Sequence, residues 1–175
     1  MTRPYPYFPS FDGKKTQEGT KKFIELCEAR FKTKNLGAYS NRLMRNSFTA
    51  GKKLGDAGME KWLSVHATGA AVDLQYPNPE TRVKMWKWMI AHTAELGLVE
   101  IHDYAFDADK ADKKVGYGRG WRCSRGEGEK GVKIFNEKDN AGSFGGKWFH
   151  IELAPEFAKD PAKVQAAWDS VPAPE

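Results

Sequence analysis

Ser64-Val-His-Ala-Thr-Gly-Ala-Ala-Val-Asp73 is the stretch whose reading decides the fold. A His and an Asp stand seven positions apart, with Gly69 between them and the small residues Ala70 and Ala71 on the approach to the Asp. With His66 on a turn and Asp73 on the strand that follows, both side chains reach one point. Gly69 supplies the tight turn, since a residue without Cβ enters positive φ at little cost. Far down the chain, Lys147-Trp-Phe-His-Ile-Glu152 reads as another strand. Period two puts Trp148, His150 and Glu152 on one face and Phe149, Ile151 and Leu153 on the other, in the core.

These residue types point to a metal. Zinc takes nitrogen, sulfur or carboxylate ligands in a tetrahedral array, and a catalytic site uses three of them and leaves one position open. His66, Asp73 and His150 are the expected ligands of one zinc ion. Glu152 stands on the same face as His150, about 7 Å along the strand. It is expected to orient a ligand or to stand in as a base.

Ser64, His66, Gly69, Ala71 and Asp73 match the S-x-H-x-x-G-x-A-x-D signature of the zinc D-Ala-D-Ala carboxypeptidases and L-alanyl-D-glutamate peptidases. The chain resembles that family over about residues 35 to 155, and is most similar to its compact, phage-encoded members. His150, in an aromatic-His-aliphatic-acid context, resembles the family's third ligand. Arg42 and Arg45, in Asn41-Arg-Leu-Met-Arg-Asn46, resemble an Arg that many members carry upstream of the first His. The resemblance implies a Hedgehog/DD-peptidase-like α+β fold, a small, mostly antiparallel sheet with helices packed on it. It also implies zinc-dependent cleavage of peptidoglycan stem peptides by an endolysin or a virion-associated wall hydrolase.

One position departs from the family pattern. Lys147 stands three residues before the last His, where the family carries a Glu or Asp as catalytic acid/base. An ammonium beside a cationic metal keeps its proton and is repelled, so Lys147 counts against catalysis though not against the metal. The general base would then come from Glu152, Glu100 or Asp103, in that order, with Arg45 binding substrate or steadying the oxyanion. The alternative is a non-catalytic member, a metal-binding virion structural or cell-wall-binding protein.

The 175 residues suggest a single domain, 1–175. It divides into an extended arm over 1–15 and a core over 16–170 that ends in a closing helix. The apolar fraction of 40% and charged fraction of 29% fit a globular protein. No apolar run approaches a membrane span, and Met1-Thr-Arg-Pro-Tyr-Pro-Tyr-Phe-Pro lacks the apolar segment of a secretory signal. The expected location is therefore a phage virion, or the host cytoplasm before lysis, with action at the bacterial wall. Expected partners are peptidoglycan peptides and other virion proteins. Cys27 and Cys123 read as two free thiols, one on a helix and one in a loop. A net charge of +5 is a solvated basic surface, or suits an anionic wall polymer or nucleic acid. The Gly116–Gly128 stretch, with its Arg, Tyr and Trp, suits either single-stranded nucleic acid or the walls of a cleft, and nucleic acid is the weaker reading.

Along the chain, Tyr5, Tyr7, Phe8 and Phe11 among prolines predict an arm packed on the body. Phe23, Ile24, Cys27 and Phe31 predict a helix over 16–33. Residues 36–48 hold a possible strand, and 49–63 read as a loop. Asn78-Pro-Glu80 opens a helix that runs to about Glu95, with Val83, Trp86, Ile90 and Ala94 buried and Gly97 as its stop. Leu98–Phe106 alternates as a strand, with Glu100, His102 and Tyr104 on one face; His102 is a satisfied sheet histidine or a polar wall of the site. A charge run over 107–114, a short strand over 132–136 and a loop containing Gly142, Gly145 and Gly146 follow. The closing helix starts at Asp160-Pro161.

Overall fold

Phe23, Ile24, Cys27 and Phe31 form the buried side of helix α1 (Glu18–Phe31). The helix stops where Lys32 turns to φ 57° and donates its backbone N–H to Glu28 O at 3.1 Å. Helix α2 (Pro79–Ala91) begins as its sequence dictates: Asn78 caps it by accepting the Thr81 N–H at 2.7 Å, and Pro79 fills the first turn. The structure is a computed structural model describing residues 1–11, 13–106, 116–139 and 143–175. Among the described residues it is α+β, with four α-helices and a six-stranded antiparallel sheet. No helix among them is long and apolar enough to cross a membrane.

The strands are β1 (Lys34–Gly37), β2 (Ala71–Gln75), β3 (Leu98–Asp103), β4 (Arg119–Arg122), β5 (Val132–Ile134) and β6 (Trp148–Leu153). Their order is β1-β2-β6-β3-β4-β5, so the last strand inserts between β2 and β3. Register then positions the site. Asp73 lies opposite His150, and His150 opposite His102. On the neighbouring rung Ala71 faces Glu152, Glu152 faces Glu100, and Glu100 faces Arg122. Successive side chains alternate between the two faces, so these two rungs share one polar face.

The opposite face carries Val72, Leu74, Ile101, Phe149, Ile151 and Leu153, all without exposed surface. Helices cover it. Trp86 of α2 stacks over Phe149 at 6.3 Å between ring centroids. Helix α4 (Pro161–Ser170) brings Val164 and Trp168 against α1, with Trp168 edge-on to Phe23 and Phe31. Asp160 caps α4 through the N–H groups of Ala162 and Lys163. The arm packs on the body as expected: Arg3 pairs with Glu127, and its guanidinium also donates to Leu98 O at 2.8 Å.

Several local expectations are corrected. Helix α2 ends at Ala91, because the chain turns through His92–Gly97 and Leu98 N–H bonds Thr93 O at 2.9 Å. Ala94 is therefore outside the helix and exposed, and Val83 is 40% exposed. The buried set is Met85, Trp86, Trp88, Met89 and Ile90. Gly97 (φ 66°) makes the turn into β3 rather than the helix stop, and a Cβ there would meet the Phe157 ring at 2.3 Å. That ring belongs to a short helix, α3 (Pro155–Lys159), which the sequence did not announce. The strand expected within 36–48 is the earlier β1, with a bulge between Asn35 and Gly37, while Leu43 makes an isolated bridge to Leu63. Strand β3 ends at Asp103, not Phe106. The charge run over 107–114 and Gly142 lie outside the described residues.

Candidate metal centre

His66 sits on a 3₁₀ turn (Val65–Thr68) closed by Gly69 at φ 73°. Only a residue without Cβ fits there, since an added Cβ would lie 2.5 Å from Lys15 O. The entry to α1 staples this turn: Gln17 Nε2 donates to Thr68 O at 2.6 Å, and Gln17 N–H to Gly69 O at 3.1 Å. On the other side, Ser64 N–H bonds Arg42 O at 3.1 Å, which lays the Arg42 segment beside the His66 turn. Asp73 then comes from β2, and His150 from β6 directly across the ladder.

The three expected ligands meet. His66 Nε2 and His150 Nδ1 are 3.1 Å apart, His150 Nδ1 and Asp73 Oδ1 3.1 Å, and His66 Nε2 and Asp73 Oδ1 3.4 Å. Metal–ligand bonds of about 2.0–2.1 Å give tetrahedral edges of about 3.3 Å, so the spacing of these three atoms is compatible with a single ion. Two imidazole nitrogens and a carboxylate oxygen are a chemically suitable donor set, and this group could hold a metal ion.

The three groups are electrostatically coupled. Burial pulls the His150 imidazolium down, but hydrogen bonds to Asp73 and Glu152 outweigh it and lift His150 to about 10. Burial pushes Asp73 up, yet the two histidines hold it well below the usual carboxylate range. A cation placed among these atoms would take the place of the His150 Nδ1 proton.

The centre opens on a cleft of about 750 Å³. Arg42 and Arg45 both line it, Arg42 half-buried and within the field of Asp73, Arg45 exposed. Glu152 is buried, not a surface residue: its Oε1 is 3.0 Å from His150 Nε2, and its Oε2 accepts the Tyr5 hydroxyl. Glu100 is buried beside it, with Oε1 2.8 Å from His102 Nε2 and Oε2 accepting from Arg122 at 2.7 Å. Burial alone would raise Glu100, but His102 and Arg122 hold it below the ordinary range. Asp103 points to the opposite face, where it pairs with Arg119 at 3.2 Å, so it is excluded as a base in this cleft. Lys147 precedes β6, is exposed, and does not line the cleft.

His102 is a polar wall of the cleft, and His92 is a packing residue 6.2 Å from the Trp88 ring. Cys27 and Cys123 are free, buried thiols outside the metal group. The Gly/Arg/aromatic stretch supplies β4, with Arg122 in the cleft wall. Sequence reasoning missed Tyr5, Tyr104 and Arg122 as site residues. Tyr104 carried a signal in its period-two alternation with Glu100 and His102, and Arg122 in the Gly/Arg/aromatic stretch that suits the walls of a cleft, whereas Tyr5 carried none. Comparison of the chain with protein-family models, with curated proteins and with solved structures gives no match.

Proposed function

We propose that the protein is a zinc-dependent peptidase of the Hedgehog/DD-peptidase kind, cleaving peptidoglycan stem peptides at the bacterial wall as phage-type members do. The observation that carries the proposal is the set of three ligand atoms at tetrahedral-edge spacing, open to a cleft walled by arginines. Two imidazoles and a carboxylate suit zinc. Zinc bound here would supply carbonyl polarisation and a more acidic water. The chain's own residues do the rest. Arg42 and Arg45 present guanidinium forks to a substrate carboxylate. Glu152 fixes the His150 ring so that Nδ1 faces the ion. Glu152 is the positioning group of this reading rather than its base, because both of its oxygens are already engaged.

That engagement also favours a second reading, a binding protein that keeps the metal and has retired from catalysis. One experiment separates the two. Zinc content and release of new amino termini from purified peptidoglycan are measured for wild type and His66→Ala. Stoichiometric zinc with released peptides, both lost in the variant, is the expected result. Zinc and peptidoglycan binding without release supports the second reading, and a wild type that takes up no zinc overturns both.

A further inference from the structure

Among the described residues, none of the carboxylates expected to act as base is free to do so. Glu152 and Glu100 each have both oxygens occupied, Asp103 faces away, and Lys147 is outside the cleft. A different group faces the same space. His102, next to His150 on the sheet, has Nε2 2.8 Å from Glu100 Oε1 and Nδ1 3.0 Å from the Tyr104 hydroxyl. Tyr104 and His102 both line the cleft.

The hydrogen-bond directions follow from the partners. Arg122 holds the other oxygen of Glu100, and an ionised carboxylate only accepts, so His102 Nε2 carries the proton. In a neutral ring Nδ1 is then the acceptor, and the Tyr104 hydroxyl donates to it. Neighbouring groups brace the ring in this arrangement. Phe135 packs edge-on to it at 5.0 Å. Gly120, opposite His102, leaves room for both rings, since a Cβ there would come within 2.3 Å of Phe135 and 3.0 Å of His102. Behind the dyad stands a buried carboxylate anchored by an arginine, the arrangement that stabilises an imidazolium as it forms.

We infer that Tyr104 is a catalytic residue that relays a proton between the attacking water and His102, with Glu100 as the carboxylate behind His102. The inference rests on the peptidase reading. As the water oxygen bonds to the peptide carbonyl carbon, one water proton passes to Tyr104 Oη and the Tyr104 proton passes to His102 Nδ1. The resulting imidazolium is held by Glu100. When the C–N bond breaks, the same proton returns through Tyr104 to the leaving nitrogen. The second water proton leaves with the products, a carboxylate and an amine. No oxidant or further reactant is needed.

The test combines a spectroscopic and a kinetic readout. ¹⁵N NMR of the imidazoles, in metal-free and zinc-loaded protein, reads the His102 tautomer directly: Nε2 protonated, and Nδ1 an acceptor whose resonance moves in Tyr104→Phe. On peptidoglycan peptides, Tyr104→Phe and His102→Gln each lower kcat by about a hundredfold or more, the range of general acid–base catalysis. KM and zinc stoichiometry stay unchanged. The double variant is no worse than either single one, because the two act as a unit. Three results overturn the relay and leave the peptidase standing: Tyr104→Phe retains wild-type kcat, the two losses multiply, or Nδ1 carries the proton. A wild type that loads zinc and shows the expected tautomer yet releases no peptide overturns the peptidase reading, and the relay with it.

Discussion

Glu152→Gln removes one charge from behind the metal centre and almost no volume. In the structure Glu152 Oε1 lies 3.0 Å from His150 Nε2, while Oε2 takes the Tyr5 hydroxyl, so the carboxylate fixes the ring from the side away from the ion. Losing such an outer partner typically costs 10- to 100-fold in metal affinity, about 1.4–2.7 kcal/mol. Gln keeps an amide oxygen that can still accept from Nε2–H, so its loss falls at the lower end, about tenfold. Glu152→Ala leaves Nε2 without a partner and falls at the upper end, about a hundredfold. Tyr5→Phe frees Oε2 but leaves the His150 contact in place, and its effect is smaller than either. Zinc titration of metal-free protein against a competing chelator reads all three, with circular dichroism to establish that each variant is folded. Affinities within twofold of wild type in both folded Glu152 variants would refute the positioning role.

Three further predictions follow from the same geometry. His150 titrates near 10 in the metal-free site, so near neutral pH it holds a proton that the metal must displace; calorimetry of zinc binding in buffers of different ionisation enthalpy should show release of about one proton, and no release would contradict the coupling. The folded value of His150 lies above its unfolded value of 6.5, so its stabilising contribution is complete below about pH 6.5 and is lost as pH rises through about 10. Asp73 is depressed, so its contribution holds above about pH 4 and is lost as pH falls. Thermal melts of metal-free protein should therefore peak between those limits and decline toward pH 10, and a decline that persists unchanged in His150→Gln would assign it elsewhere. Gly69→Ala forces a Cβ to 2.5 Å from Lys15 O at φ 73°, and should cost at least about 1–2 kcal/mol in denaturant melts and weaken zinc binding, because the turn carrying His66 must move.

Much of the site was legible because it depends on local rules. Gly69 and the small residues after it read as a turn into a strand, and that is how His66 and Asp73 are carried. Alternation put His150 and Glu152 on one face, as found. What no local pattern contains is register across the chain. Asp73 and His150 are 77 residues apart, and their pairing depends on β6 inserting between β2 and β3. Tyr5 reaches Glu152 across 147 residues from an arm with no periodicity. The phase of α2 is not legible in the sequence because Met85 to Ile90 is almost continuously apolar, which leaves Val83 free to fall on the exposed side. Asp103 sits one position from His102, so the same alternation that puts His102 in the cleft turns Asp103 away from it.

The central claim is that His66, Asp73 and His150 hold one zinc ion, and X-ray absorption at the zinc edge on reconstituted protein tests it most directly. The expected result is one zinc per chain with nitrogen and oxygen neighbours at about 2.0–2.1 Å and no sulfur shell at 2.3 Å, and loss of the ion in His66→Ala, Asp73→Ala and His150→Ala. A sulfur shell, or full zinc occupancy in any of the three variants, would contradict it.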